Sequence, residues 1–185
     1  MFKEIPNILT LLRILIIPII IITFYFDDLV FAHRLAACLF LIAAITDFLD
    51  GYIARKFNIS SAFGRMMDPI ADKLLIASIL LMLVKFRKVN EVPALLILMR
   101  EFLISGIREF MAEYKFNLPV SQISKVKTFV QMLAMFCLIL GSKGSGLQWL
   151  DIFGKIFLWF AAILTLLSGY YYLVDYIKIT LYIKK

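Results

Sequence analysis

Residues 46–75 read TDFLDGYIARKFNISSAFGRMMDPIADKLL, and this stretch places four aspartates between two long apolar runs. Asp47 and Asp50 are three residues apart, and Asp68 and Asp72 are four apart. Both spacings put the two side chains on one face of a helix. Because a short loop between antiparallel helices can bring two such faces together, the stretch predicts two neighbouring helices that share a cluster of carboxylates.

The composition of the chain indicates a membrane protein. Its 185 residues are 63% hydrophobic and 18% charged, whereas soluble domains are about 45–50% apolar and about 25% charged. The mean hydropathy is +0.93. The net charge of +7 suits cytoplasmic loops that meet anionic headgroups. It does not indicate nucleic-acid binding, because no soluble basic face exists to carry it. We expect one membrane-embedded domain over residues 1–185.

Six apolar runs are long enough to cross a bilayer, which takes about 20 residues of helix. They cover residues 8–26, 31–53, 66–86, 92–111, 126–141 and 150–176. The sequence therefore predicts an all-α bundle of six transmembrane helices, with Pro69 in the first turn of the third. Lys and Arg are more frequent in the segments on the side of the N-terminus, which predicts cytoplasmic termini and a carboxylate cluster facing the cytoplasm. The predicted location is the cytoplasmic (inner) membrane.

Four carboxylates near a bilayer need compensating charge. Carboxylate oxygens prefer hard cations such as Mg²⁺, Mn²⁺ or Ca²⁺, and two divalent ions would balance four aspartates and clamp a substrate diphosphate. Gly51, Ala54 and Gly64 would let a ligand approach the backbone, and Arg55 would neutralise phosphate. The alternative is a set of solvated aspartates that form ion pairs with nearby basic residues, namely Arg55, Arg65 and Lys73.

These residues form a longer motif: Asp47-x-x-Asp50-Gly51-x-x-Ala54-Arg55, then eight residues, then Gly64-x-x-x-Asp68-x-x-x-Asp72. The motif resembles the signature of the CDP-alcohol phosphatidyltransferases at every signature position. The resemblance implies six transmembrane helices and transfer of a phosphatidyl group from a CDP-linked lipid to an alcohol, with release of CMP. It also implies that two ions, Mg²⁺ or Mn²⁺, are bound by Asp47, Asp50, Asp68 and Asp72. Asp72 would be the general base, and the CDP site would include Gly51, Ala54, Arg55 and Gly64.

The fourth span carries a polar stripe on an otherwise apolar helix. Glu101, Ser105 and Arg108 lie at positions i, i+4 and i+7, beside Arg100 and Glu109. Charged residues at such depth usually face a cavity on a substrate path. The alternative is a buried Glu101–Arg108 ion pair that orients the helices. Lysines at the start of the fifth span are ordinarily headgroup anchors, but Lys127 close to Arg108 would form a basic pocket for an acceptor phosphate.

Three further motifs resemble the bacterial members of the family whose acceptor is glycerol 3-phosphate. They are Pro6-Asn7-x-x-Thr10-x-x-Arg13, Arg100-Glu101-x-x-x-Ser105-Gly106-x-Arg108-Glu109 and Lys125-x-Lys127-Thr128-x-x-Gln131. This resemblance implies CDP-diacylglycerol as donor and glycerol 3-phosphate as acceptor. The acceptor phosphate would be held by Arg108 and Lys127, with Arg100 and Ser105. Asn7 and Thr10 would border the CDP site, and Arg13 would either join them or extend to the membrane surface. Ser124 stands where the resemblance leads us to expect glycine.

Two alternatives stay open from the sequence. One is a sibling enzyme that uses inositol phosphate, serine or phosphatidylglycerol as acceptor. The other is a small cation transporter with the aspartates as its ion site, although residues 74–84 and 133–140 offer almost no polar route across the bilayer. Family members are often homodimers, so a homodimer is possible here, and the last span is expected to serve packing.

Overall fold

Six α-helices follow one another in the computed structural model, which describes the backbone of residues 5–26, 28–57, 62–114 and 121–183. Side chains are described for residues 8–26, 28–47, 49, 64, 66–114 and 121–178. The helices are α1 Ile5–Phe24, α2 Val30–Phe57, α3 Ala62–Lys85, α4 Glu91–Glu113, α5 Gln122–Ser145 and α6 Trp149–Ile183. The described residues contain no β-strand, so the all-α prediction with six helices is confirmed.

Three of these helices are long and apolar enough to cross a membrane, over Val30–Asp47, Gln122–Ser145 and Trp149–Lys178, and Ile8–Phe24 is a shorter apolar helix. α3 and α4 reach similar lengths, but the first half of α3 contains Asp68, Asp72 and Lys73, and α4 carries the polar stripe. Large apolar side chains are exposed on all six helices, as expected of surfaces that face acyl chains. The chain is a multi-pass membrane protein.

The helices form a ring. α1 packs against α2 and α3, α2 packs against α5, α5 packs most extensively against α6, and α6 packs against α4. α3 meets α4 only sparsely, so the ring is loosest between these two helices. One continuous apolar core draws on all six helices; its fully buried members include Ile20, Phe40, Leu80, Ile97 and Leu138.

Two local predictions were wrong. α3 begins at Ala62, so Pro69 is not in the first turn; it lies inside the helix, where it cannot donate to the carbonyl four residues earlier. The fifth span was predicted to end at residue 141, but α5 continues to Ser145 through a kink at Gly141, whose φ is 56°. The Asp151 carboxylate accepts from the Ser142 N–H there, at 3.1 and 3.2 Å. It thus replaces a helix bond that the kink removes.

Helix ends follow from side chains that satisfy free backbone groups. The Asn90 side chain accepts from the Val92 N–H at 2.8 Å and caps α4. Ser121 caps α5 in the same way through the Ser124 N–H at 3.2 Å. These two caps fix where α4 and α5 begin, and so fix which of their residues face the space between α3, α4 and α5.

Candidate active site

Arg13 joins three helices at the predicted carboxylate cluster. α1 buries one face made of Thr10, Arg13, Ile17 and Ile20, at the spacing of an amphipathic helix. The Nη1 atom of Arg13 lies 2.9 Å from Asp47 Oδ1 on α2 and 2.5 Å from Asp72 Oδ1 on α3. A single buried guanidinium therefore compensates two carboxylates that the sequence placed in one site.

Asp68 completes this arrangement. The Thr10 hydroxyl donates a hydrogen bond to Asp68 Oδ1, and Asp47 and Asp68 both lie close enough to Asp72 to interact with it electrostatically. Gly64 is buried one turn before Asp68. The structure thus brings together three of the four predicted aspartates, and it places α1 beside them through Thr10 and Arg13.

The geometry decides between the alternatives that the sequence left open for Arg13 and Lys73. The possibility that Arg13 extends to the membrane surface is wrong, because the residue is 1% exposed and contacts the carboxylates. Lys73, offered as an ion-pair partner of the aspartates, instead pairs with Glu109 at 3.9 Å. The side chains of the remaining predicted residues at this site lie outside the described part of the structure; they are Asn7, Asp50, Gly51, Ala54, Arg55 and Arg65.

The donor atoms at this site suit a hard divalent cation. Asp47, Asp68 and Asp72 offer carboxylate oxygens, which Mg²⁺ and Mn²⁺ prefer. Among the described side chains no three acidic, His or Cys groups form a complete metal site, and the Asp50 side chain is not among them. Arg13 stands between Asp47 and Asp72. The residues present fit a metal site in which a cation shares these carboxylates with Arg13.

A cavity of about 440 Å³ opens beside Asp72, between α3 and α4. Its polar lining combines Asp72 with residues that were predicted to bind the acceptor. The wall is formed by α3, α4 and α5. The lining residues are Pro69, Asp72, Lys73, Ile76, Arg100, Glu101, Ile104, Ser105, Arg108, Glu109, Ala112 and Thr128. Arg100, Ser105 and Arg108 therefore face the same space as the expected general base. The polar stripe on α4 lines a cavity, as the sequence predicted.

Lys127 does not line this cavity. It is fully buried, and its Nζ donates to Glu101 Oε1, which reaches across from α4. Glu101 also lies 3.5 Å from Arg100. The suggested Glu101–Arg108 pair is absent from the described contacts, because Glu101 turns toward α5. Glu101, which lines the cavity, thus lies between the cavity and Lys127.

The last helix contributes to this site, which the sequence did not indicate. The Arg100 guanidinium lies over the Tyr172 ring, 5.5 Å from its centroid, and donates to Ser124 Oγ at 3.1 Å. Tyr172 is buried on α6, and its hydroxyl accepts from the Ser121 N–H at 3.3 Å. Tyr172 therefore ties Arg100 to the start of α5. The run Tyr170-Tyr171-Tyr172 gave no sign of which ring faces inward.

Comparison with known proteins shows the family of the chain. The sequence model of the CDP-alcohol phosphatidyltransferase family matches residues 3–167, a range that contains α1 to α5 and about the first half of α6. The chain belongs to the CDP-alcohol phosphatidyltransferase family.

Several relatives share the name CDP-diacylglycerol–glycerol-3-phosphate 3-phosphatidyltransferase. The relative from Rickettsia felis is 58% identical over 170 residues, which are 92% of this chain and 93% of the relative. The relative from Rickettsia typhi is 56% identical, over 92% and 95% of the two chains. The relative from Salmonella choleraesuis is 39% identical over 92% and 93%. In each case the similarity covers more than nine tenths of this chain.

Proposed function

We propose that this protein is a CDP-diacylglycerol–glycerol-3-phosphate 3-phosphatidyltransferase of the inner membrane. The observation that carries the proposal is the cavity that Asp72 lines together with Arg100 and Arg108. A carboxylate that can accept a proton and two guanidinium groups that can bind a phosphate thus border one space of about 440 Å³. The relatives named above support the same choice of donor and acceptor.

In the proposed reaction a hydroxyl oxygen of glycerol 3-phosphate attacks the β-phosphorus of CDP-diacylglycerol. The new phosphorus–oxygen bond forms as the bond to CMP breaks, and the hydroxyl proton passes to the Asp72 carboxylate. Two divalent ions, Mg²⁺ or Mn²⁺, would be held by Asp47, Asp50, Asp68 and Asp72, and would supply positive charge to the donor diphosphate. Arg13 keeps Asp47 and Asp72 close together, so that their oxygens face the same ligand.

The nucleotide would lie on the α1 and α2 side of the aspartates. Gly51, Ala54, Arg55 and Gly64 are the proposed CDP residues, with Asn7 and Thr10 on α1. Buried Gly64 lies one turn before Asp68, and the Thr10 hydroxyl binds Asp68. Thr10 thus contributes by holding a carboxylate beside the donor.

The acceptor phosphate would be bound by Arg108 and Arg100 inside the cavity, with Ser105 beside them. Arg100 is held by Ser124 and Tyr172, so its guanidinium is oriented before substrate enters. Lys127 would contribute charge from behind Glu101, to which its Nζ donates. An arginine can bind two phosphate oxygens at once, which explains why this acceptor would be preferred over an uncharged alcohol.

The carboxylate end of the bundle is proposed to face the cytoplasm, where CMP and glycerol 3-phosphate are soluble. The larger share of Lys and Arg on that side supports this orientation. The loose contact between α3 and α4 would let the lipid donor enter from the bilayer. A smaller, lipid-side cavity of about 300 Å³ lies between these two helices and is lined in part by Ile70, Leu74 and Phe102.

The proposal is tested by supplying the purified protein with CDP-diacylglycerol and one acceptor at a time. Glycerol 3-phosphate, glycerol, serine and inositol phosphate are compared, and the lipid product is identified by its mass. Phosphatidylglycerophosphate is the expected product. Phosphatidylinositol phosphate would keep the phosphate pocket but change the acceptor, and phosphatidylserine would refute the pocket.

Arg108→Ala tests the acceptor site directly. Loss of a charged hydrogen-bond partner for the phosphate should raise the KM for glycerol 3-phosphate roughly 10²-fold while the KM for CDP-diacylglycerol changes little. Lys125→Ala is the matched control, because Lys125 is an exposed cation near the start of α5 that does not line the cavity. Equal effects of the two variants would mean that Arg108 acts only through general surface charge.

A further inference from the structure

A second polar cavity, of about 520 Å³, lies at the opposite end of the bundle. It is formed by the end of α3, the start of α4 and the first half of α6; its lining residues are Val84, Arg87, Lys88, Val89, Asn90, Glu91, Pro93, Lys155, Leu158 and Trp159. Val84 follows Asp72 by twelve residues of one helix, which is about 18 Å at 1.5 Å per residue. This cavity is therefore separate from the candidate active site.

The cavity carries more positive than negative charge. Arg87, Lys88 and Lys155 line it together with a single carboxylate, Glu91. Lys88 Nζ turns toward His33 Nδ1, at 3.4 Å. Arg87 and Lys155 are exposed, and within the described part of the chain neither side chain has an ion pair or a hydrogen bond. Two cations thus remain available to a ligand.

Arg87 is held in an unusual backbone conformation. Its φ of 53° makes it the single non-glycine residue with positive φ among the described residues. The Arg87 N–H donates to the Val84 carbonyl and the Lys88 N–H to the Leu83 carbonyl, both at 2.9 Å. This is the helix ending in which glycine is usual, because a side chain is strained there. An arginine at this position costs stability that glycine would not, which points to a use for its guanidinium.

The rest of the lining suits a phospholipid at the membrane surface. Val84, Pro93 and Leu158 supply apolar walls, and Trp159, which is 45% exposed, is the type of residue that lies at headgroup level. The start of α4 borders the cavity at Asn90 and Glu91, and a helix N-terminus favours a negative group. Apolar walls beside unpaired cations match a headgroup phosphate with acyl chains attached, rather than a soluble anion.

We propose that this cavity binds the headgroup phosphate of an anionic phospholipid in the leaflet opposite to the active site. Arg87 and Lys155 contact the phosphate, and Trp159 packs beside the glycerol backbone. Since the ligand touches the ends of α3, α4 and α6, it links helices of which α3 and α4 meet only sparsely. Lipid binding here stabilises the bundle and needs no role in the transfer reaction.

The test uses the purified protein in micelles of a neutral detergent, with CMP, which has no acyl chains, present so that the nucleotide end of the active site is occupied. Retention of phosphatidylglycerol and of phosphatidylcholine is measured by native mass spectrometry and by the rise in Tm. The unsubstituted protein should prefer phosphatidylglycerol. Each cation near a lipid surface contributes about 1 kcal/mol, so removal of both should weaken phosphatidylglycerol binding about 30-fold.

Arg87→Gly separates binding from folding. Glycine relieves the positive-φ strain, so the Tm without lipid should stay level or rise while phosphatidylglycerol retention falls. Lys155→Gln should also lower phosphatidylglycerol retention, but it should not raise the Tm measured without lipid, because Lys155 has no positive φ to relieve. Lys143→Gln is the matched control, because Lys143 lies at the same end of the bundle and pairs with Asp28 at 3.6 Å. All three variants should keep transferase activity, so a failure of this proposal is distinguishable from a failure of the proposed function.

Three results would overturn the proposal. The first is undiminished preference for phosphatidylglycerol in the Arg87→Gly, Lys155→Gln double variant. The second is an equal loss of retention in Lys143→Gln, which would indicate unspecific attraction of lipid to a basic surface. The third is displacement of phosphatidylglycerol by millimolar inorganic phosphate, which would make the cavity a site for free anions.

Discussion

Arg13→Met should destabilise the protein, and divalent cations should restore part of the loss. Methionine keeps an unbranched apolar stem but removes the guanidinium, with its charge and its donors. Asp47 and Asp72 then face each other without the guanidinium that contacts both. A bound cation would supply positive charge to the same oxygens, so the variant should depend on it more strongly than the unsubstituted protein does.

The expected size follows from the geometry. A hydrogen bond to a charged group contributes about 1.5–3 kcal/mol, and Arg13 makes two such contacts. Its own side chain is fully buried, but those of Asp47 and Asp72 are 44% and 40% exposed, so water will solvate both carboxylates after the substitution. We therefore take the lower end, about 3 kcal/mol in total. For a chain of this length that corresponds to a fall in Tm of about 6–12 °C.

The assay is thermal unfolding in detergent micelles with chelator and then with saturating Mg²⁺. A ligand at about 100 times its Kd stabilises by about 2.7 kcal/mol, so Mg²⁺ should recover much of the loss. Arg34→Met is the control, because Arg34 donates to the Gly144 carbonyl at 2.9 Å, far from the aspartates. The reasoning is refuted if Arg13→Met leaves the Tm in chelator unchanged, or if Mg²⁺ raises the Tm of the Arg34 variant as much as that of the Arg13 variant.

Three further predictions concern catalysis. Chelation of divalent cations should abolish CMP release, and Mg²⁺ or Mn²⁺ should restore it; activity in excess chelator would contradict a metal-dependent reaction. Asp72→Asn should lower kcat at least 10²–10⁴-fold, the usual effect of losing a general base, while CDP-diacylglycerol binding measured by equilibrium dialysis persists; a near-normal kcat would exclude Asp72 as the base. Tyr172→Leu removes the ring under Arg100, a contact worth about 0.5–2 kcal/mol, and should raise the KM for glycerol 3-phosphate up to about 30-fold. Tyr172→Phe keeps the ring and should have a KM near normal, and equal effects of the two substitutions would point instead to the hydroxyl.

The six helices and the convergence of the aspartates could be predicted because both depend on residue patterns within a single helix. Apolar runs of membrane length mark the helices, and spacings of three and four residues place the aspartates on common faces. Asp47, Asp68 and Asp72 do converge, and Ser105 and Arg108 do line one cavity with Asp72. These outcomes depend on the period of the helix, which a single sequence displays directly.

Contacts between distant helices were harder to predict. Arg13 meets Asp72 across 59 residues of chain, and nothing local distinguishes it from an arginine that extends to the membrane surface. Glu101 was paired with Arg108 as the alternative on α4, but seven residues are two helical turns, about 10.5 Å along the axis. Lys127 on α5 approaches Glu101 instead. Which helices become neighbours depends on the packing of the whole ring, and the spacing within one helix does not contain that information.

The burial of Arg13 also constrains how the chain enters the bilayer during synthesis. A charged side chain near the centre of a transmembrane helix costs about 2.5–3.5 kcal/mol on insertion, and the carboxylates that compensate Arg13 belong to α2 and α3. When α1 leaves the ribosome, neither partner has been made. Inserted on its own, α1 therefore carries this cost until residue 72 has been translated and α2 and α3 can supply the carboxylates. The arginine that joins three helices in the finished protein thus makes the membrane position of α1 more favourable once the next two helices have joined it.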